Sequence, residues 1–151
     1  MPTHYSGSPK EVRALNVLIK LNRAVESIGT RFARSGVMCE LSPSQFAVLE
    51  CLYHLGPMIQ NEIGTKLLRS TGNITLVIDN LEKQELVRRM RNLHNRRSIT
   101  ISLTPKGKER IQKIFPKHLA LIVETFSVLT AKEQELLGDL CRKLGKAQQG
   151  E

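Results

Sequence analysis

Ser70-Thr71-Gly72-Asn73-Ile74-Thr75-Leu76-Val77-Ile78-Asp79-Asn80-Leu81-Glu82-Lys83 is the stretch that decides the fold. At about 100° per residue, Ile74, Val77, Ile78 and Leu81 fall on one side of a helix. Gly72, Leu76, Asp79 and Lys83 fall opposite, flanked by Asn73, Thr75 and Asn80. Ser70 stands where a side-chain oxygen can cap the helix start. Just upstream, Gln60 to Leu68 forms a shorter helical pattern that points Ile63, Leu67 and Leu68 inward. A short helix, a tight polar turn and a second helix of about three turns make a helix-turn-helix.

Downstream the period changes. Leu86-Val87-Arg88-Arg89-Met90-Arg91 has strand character with imperfect alternation, and Ser98-Ile99-Thr100-Ile101-Ser102-Leu103 alternates cleanly. The polar tip Asn92-Leu93-His94-Asn95-Arg96-Arg97 joins them, so a two-stranded hairpin, a wing, is expected directly after the helix-turn-helix. Residues 83–97 carry six basic side chains against Glu85 alone, a net +5 out of the chain's +9.

Further out, the signals are helical again. A polar tail, 1–9, precedes a stripe of Val12, Leu15, Leu18, Ile19, Val25, Ile28 and Phe32 that stops at Ser35-Gly36. Ser42, Pro43 and Gln45 write a capping box, with Leu41 and Phe46 placed as a hydrophobic staple, for a helix ending at Gly56-Pro57. Thr104-Pro105 starts another helix, in which Pro116 is expected to cause a kink or break. Thr130 and Glu133 cap a last one, lined by Leu136, Leu137, Leu140 and Leu144 and ending near Gly145. The expected class is therefore mainly α with a small β-hairpin wing: a winged helix-turn-helix over 42–104, flanked by helices 10–36 and 105–145, with a tail 146–151.

Composition narrows the function. The chain has 151 residues, 40% hydrophobic and 25% charged, which suits one soluble domain with its own core. A charge of +9 favours a polyanionic partner. Aromatics make up only 4%, with no Trp, which argues against proteins that stack single-stranded bases on aromatic platforms. Duplex DNA fits better. No apolar run is long enough for a membrane span and no signal-peptide core is present, so a cytoplasmic protein with no membrane partner is expected. There is no phosphate-binding glycine loop, no His-Glu-x-x-His and no nucleophile–base pair, so neither an enzyme nor a cofactor is expected. His4, His54, His94 and His118 show no metal-ligand spacing.

A helix lying in the major groove needs short polar residues in its first turn. Ser70, Thr71, Gly72, Asn73, Thr75 and Leu76 supply them here, although taken alone the same residues also read as an ordinary polar helix start. The Asn73 amide suits adenine, Gly72 lets the backbone come close, and Leu76 or the Thr75 methyl suits a thymine methyl. Asp79 is awkward on such a face and is expected to pair with Lys83 or to orient a nearby arginine. In the wing, Arg88 and its basic neighbours can neutralise phosphates, while Arg96 or Arg97, with His94 beside them, can reach the minor groove.

These strings together, with Asn95-Arg96-Arg97-Ser98 and the following Leu103-Thr104-Pro105-Lys106-Gly107, closely resemble the MarR family of bacterial transcriptional regulators over residues 10 to 145. The resemblance implies a homodimer built through the first and last two helices. It further implies that each subunit reads one half of an inverted-repeat operator, as a repressor on the bacterial nucleoid. It also implies release by a small phenolic or other aromatic effector bound between the dimer helices and the DNA-binding lobe. The family's wing usually reads Asp-x-Arg; Asn95 stands here in place of the acid, which leaves Arg97 without a charged partner at that position. Two alternatives remain open: a thiol-based redox regulator of the same fold, with Cys39 near the Ser42 cap as candidate thiol, and a sequence-nonspecific architectural protein.

Overall fold

The computed structural model describes residues 4–68, 70–91 and 98–148. Its elements are α1 (Pro9–Ser35), α2 (Pro43–Leu55), β1 (Met58–Ile59), α3 (Gln60–Lys66), α4 (Thr71–Lys83), β2 (Val87–Arg91), β3 (Ile99–Leu103), α5 (Pro105–Phe126) and α6 (Ala131–Gln148). The architecture is the mainly helical one expected, with a small antiparallel sheet. The chain divides into two compact units, Met1–His118 and Leu119–Glu151.

Local chemistry sets the helix starts. Ser8 and Glu11 close a capping box on α1, and Ser42 and Gln45 do so on α2, each followed by proline in the first turn. Gly36 ends α1 in the left-handed region at φ 65. At the start of α6, Thr130 and Glu133 exchange hydrogen bonds as their spacing predicts. That helix runs past Gly145 to Gln148.

The core of the first unit gathers Leu41, Phe46, Val48, Leu49 and Leu52 from α2 and its lead-in, Ile63 from α3, and Ile74, Val77, Ile78 and Leu81 from α4. Met58, Leu86, Val87, Ile101, Ile111 and Ile114 complete it from the sheet, the turn before β2 and α5. Burying each such side chain contributes about 1.5–3 kcal/mol. The staple pair Leu41 and Phe46 is buried as the sequence predicts.

Three expectations need correcting. The wing is not a lone two-stranded hairpin: β1 pairs with β3 through Met58↔Ile101 and Ile59↔Thr100, giving the order β1-β3-β2. A strand of two residues is too short to show any periodicity. The same pairing makes β3 central. Ser102 on β3 is 4% exposed. Leu68 points out, at 74% exposure, because α3 ends at Lys66 and Leu68 takes a left-handed φ of 51. Finally, of the kink or break expected at Pro116, the break does not occur, and α5 runs as one helix through it. Pro116 and Gln112, the residue whose carbonyl loses its partner, are both exposed, so water can take the orphaned bond and no break is needed.

The tightest approach lies where α4, the sheet and α5 meet. Glu85 takes the left-handed φ of 60 after α4, and Leu86 N–H then donates back to the Leu81 carbonyl at 2.9 Å. The Leu86 carbonyl in turn accepts from Thr104 N–H at 3.1 Å. Thr104 Oγ1 donates to the Glu85 carbonyl and accepts from Gly107 N–H, capping α5. A Cβ on Gly107 would lie 1.9 Å from the Leu86 carbonyl oxygen.

Two outcomes follow for stability. Gly107→Ala must push α5 off the α4–β2 turn, and urea denaturation should show a loss of about 3 kcal/mol or more. His118, 6% exposed between the rings of Phe32 and Phe46, has a pKa lowered by burial, with Glu50 only partly opposing. The unfolded chain therefore binds a proton that the folded chain resists, so stability falls as pH drops below the ordinary value of 6.5. His118→Phe should flatten that acid-side slope in melts taken across the same range.

Candidate nucleic-acid interface

The two helices of the helix-turn-helix are tied by a side-chain bond that the sequence did not signal. Gln60, first residue of α3, donates from Nε2 to Thr75 Oγ1 at 2.8 Å. That bond holds Thr75, half-buried, against α3. The core edge of α4 is as expected, with Ile74, Val77, Ile78 and Leu81 all buried. On the opposite edge Gly72, Asn73, Leu76 and Lys83 are exposed, and Asp79 and Asn80 are intermediate.

Each candidate takes a definite place. Ser70 Oγ accepts from Asn73 N–H at 3.4 Å and caps the helix, so its hydroxyl serves α4 itself. Thr71 is the first residue of α4, and its side chain lies outside the described residues. Gly72 has open space where a Cβ would be, and Asn73 is exposed. Arg88 is exposed on β2, where Nε donates to Ser102 Oγ at 3.1 Å. His94, Arg96 and Arg97 belong to the wing tip, 92–97, outside the described residues.

Arg89 is used differently from its neighbours. Its guanidinium reaches Asp79 Oδ1 at 2.6 Å and Glu82 Oε2 at 2.7 Å, and its backbone N–H donates to Glu82 Oε1. Burial pulls its pKa down, but the hydrogen bonds and charges of the two acids outweigh that and hold it more firmly protonated. Asp79 thus orients an arginine, as one of its two expected roles, and that arginine is not available to phosphate. Glu82, at one turn's remove, was not singled out in the sequence; the i, i+3 spacing of Asp79 and Glu82 facing an alternating strand was the signal available.

Cys39, Cys51 and Cys141 are all free thiols. Cys39 is exposed at φ 47, and its carbonyl accepts from Arg110 Nη2 at 2.6 Å. Burial pushes the Cys51 thiol up, and its Sγ lies 3.8 Å from Met58 Sδ, which marks a packing cysteine. Among the described residues no group of three or more His, Cys, Asp or Glu could hold a metal ion.

A cavity of about 630 Å³ opens between α2, the sheet and the first turns of α5. Tyr53, Leu52, Pro57 and Leu103 give it apolar walls, Arg88 and Lys108 give it positive charge beside His54, and no acid lines it among the described residues.

The Arg89 pairs generate a prediction opposite to simple charge counting. Asp79→Ala removes a negative charge beside the exposed edge of α4, yet it also frees the strand that the helix anchors. Fluorescence anisotropy should show weaker, not tighter, duplex binding, by about fivefold, with a stability loss of about 1 kcal/mol for these partly exposed pairs.

Comparison with known proteins identifies the lineage. Residues 41–99 match the MarR family model. The chain is 38% identical to the HTH-type transcriptional regulator MhqR of Bacillus subtilis, over 88% of this chain and 92% of that one. Among solved structures it is similar to BpsR of Bordetella bronchiseptica, described in terms of regulation of DNA binding by 6-hydroxynicotinic acid (TM-score 0.77, 23% identity, 85% of this chain and 98% of that one). It is likewise similar to a mutant of MarR from E. coli complexed with operator DNA (TM-score 0.72, 23% identity, 85% and 96%). With a helix-turn-helix braced by its own wing and relatives of this closeness, the chain belongs to the MarR family: it is a winged helix-turn-helix transcriptional regulator and not an enzyme.

Proposed function

We propose that the protein is a repressor that binds an inverted-repeat operator as a homodimer in the bacterial cytoplasm and releases it when a small organic anion is bound. The observation that carries DNA reading is the two-sidedness of α4. Its buried edge is fixed by Ile74, Val77, Ile78 and Leu81, so Gly72, Asn73 and Leu76 are held outward on a rigid element beside the exposed Arg88 and Arg91. Of the wing-tip residues, Arg96 or Arg97 is assigned to the minor groove and His94 to a neighbouring contact.

Dimerisation is supported by two uncovered apolar faces. In the first unit α1 buries no residue and leaves Val17, Leu18 and Val25 exposed. In the second, α6 buries none and leaves Leu136, Leu137, Leu140 and Leu144 exposed. Soluble chains rarely leave such stripes bare.

The effector is assigned to the cavity beside Tyr53. Its cations and apolar walls suit an aromatic carboxylate or phenolate, and Arg88, steadied by Ser102, would hold the acid group. BpsR, whose DNA binding is regulated by 6-hydroxynicotinic acid, is a relative in fold.

Selection from randomised duplexes with the purified chain tests the whole proposal. Two inverted copies of one half-site, bound by two chains in sedimentation, are expected; a single unrepeated site bound by one chain would overturn the dimer. Asn73→Ala should relax preference at one base pair per half-site by about tenfold, within the range of a lost bidentate contact. Arg97→Ala should weaken binding to all sequences and reduce the salt slope by about one. With 6-hydroxynicotinic acid and related hydroxylated aromatic acids as probes, calorimetry should detect binding that Arg88→Ala abolishes.

A further inference from the structure

Leu76 is an unusual residue to find where it stands. It is 62% exposed in the first half of α4, with exposed Gly72 and Asn73 beside it and half-buried Thr75 before it. Side chains on a helix lean toward its N-terminus, so a residue at position i+4 lies over the turn that begins at i. The residue under Leu76 is Gly72. A Cβ at Gly72 would meet nothing within 4 Å, and its φ is not in the left-handed region. The fold therefore does not require glycine there, and glycine weakens a helix relative to alanine. What its absence of a side chain does achieve is to keep the backbone beneath Leu76 open, so that a group approaching the Leu76 methyls meets no Cβ there.

The sequence offered two residues for an apolar base contact, Leu76 and Thr75. The structure separates them. Thr75 Oγ1 accepts from Gln60 at 2.8 Å, which turns that side chain toward α3 and leaves it half-buried. Asn73 supplies donors and acceptors but no methyl. We propose that Leu76, standing over the open backbone of Gly72, is a specificity-determining residue that packs on the 5-methyl group of a thymine at one position in each half-site. Thymine is the base that offers an apolar group in the major groove. A leucine is indifferent to the hydrogen-bonding edges of the other bases, so it selects by that methyl. Its role presupposes the sequence-specific DNA binding proposed above, and the test keeps the two apart.

The probe is the duplex recovered by the wild-type chain from a randomised pool, remade with deoxyuridine replacing thymine at one symmetric pair of positions at a time. That exchange removes the 5-methyl and leaves every hydrogen bond in place. One pair of positions should cost the wild type about fourfold per half-site, the worth of one buried methyl, and about fifteenfold with both replaced. Leu76→Ala, at an exposed position that does not endanger the fold, should bind the thymine and deoxyuridine duplexes equally at that pair while retaining its response elsewhere. Gly72→Ala should melt no lower than the parent yet discriminate the two duplexes less.

If no position responds to deoxyuridine, or if Leu76→Ala keeps the full penalty, thymine reading by Leu76 is overturned while sequence-specific binding stands. If Gly72→Ala discriminates as well as the parent, the role given to Gly72 is overturned. If the pool yields no preferred sequence at all, DNA reading itself fails and the role of Leu76 with it.

Discussion

The carbonyl of Leu86 is the point on which the regulator's parts converge. Leu86 closes α4 through its N–H, begins the sheet through Val87, and receives α5 through Thr104 and the bare backbone of Gly107. Three elements that must keep fixed relative positions are thereby joined by backbone atoms, which have far less freedom than side chains. The turn stores some strain to do this. Glu85, not glycine, occupies the left-handed position, and its carboxylate is compensated by Lys106 at 3.1 Å. The Leu103-Thr104-Pro105-Lys106-Gly107 run is thus explained part by part. Thr104 caps α5, Pro105 preorganises its first turn, Lys106 reaches back to the Gln84 carbonyl and Glu85, and Gly107 permits contact.

The basic residues around the wing divide into two classes by where their charge is spent. Arg89 faces inward across the sheet and is neutralised by Asp79 and Glu82, so it binds β2 to the recognition helix. Arg88, one residue away, lies on the other face of the strand and is exposed. Arg91 shares the face of Arg89 but stands at the end of β2, and it is exposed as well. A count of net charge over 83–97 therefore overstates the field available to a phosphate backbone. It also hides a coupling: whatever shifts the strand shifts the helix that carries Asn73 and Leu76. The cavity proposed for the effector touches β2 through Arg88 and β3 through Ser102, so an occupant there would bear on the same joint.

How much of this was legible in the sequence depends on the length of the signal. The amphipathic period of 70–83 and the caps at Ser42, Ser70, Thr104 and Thr130 fixed helix starts and the core edge of α4 correctly, because each is a local rule acting on adjacent residues. β1 was missed because two residues carry no period. Leu68 failed for a related reason: periodicity does not reveal that a helix stops at Lys66 and the chain turns left-handed. At the site, the polar edge of α4 was readable. The Gln60–Thr75 bond, spanning 15 residues, and the second acid on Arg89 were not, since both depend on tertiary placement.

Among the exposed apolar side chains of the described residues, two arrangements differ physically, and the difference supports assigning them to different partners. Val17, Leu18 and Val25 on α1, and Leu136, Leu137, Leu140 and Leu144 on α6, recur at helical spacing and form stripes. Only an extended complementary surface can cover a stripe, and a unit such as 119–151 is too short to build an independent core of its own. The second copy of the chain proposed above would meet that need. Leu76 is solitary, set among polar neighbours and over a glycine that makes room for something from outside. A single exposed leucine needs no explanation by itself. Leucine paired with an unforced glycine one turn below, on a helix whose opposite edge is fully buried, does need one, and a ligand presenting one methyl group in a polar groove answers it.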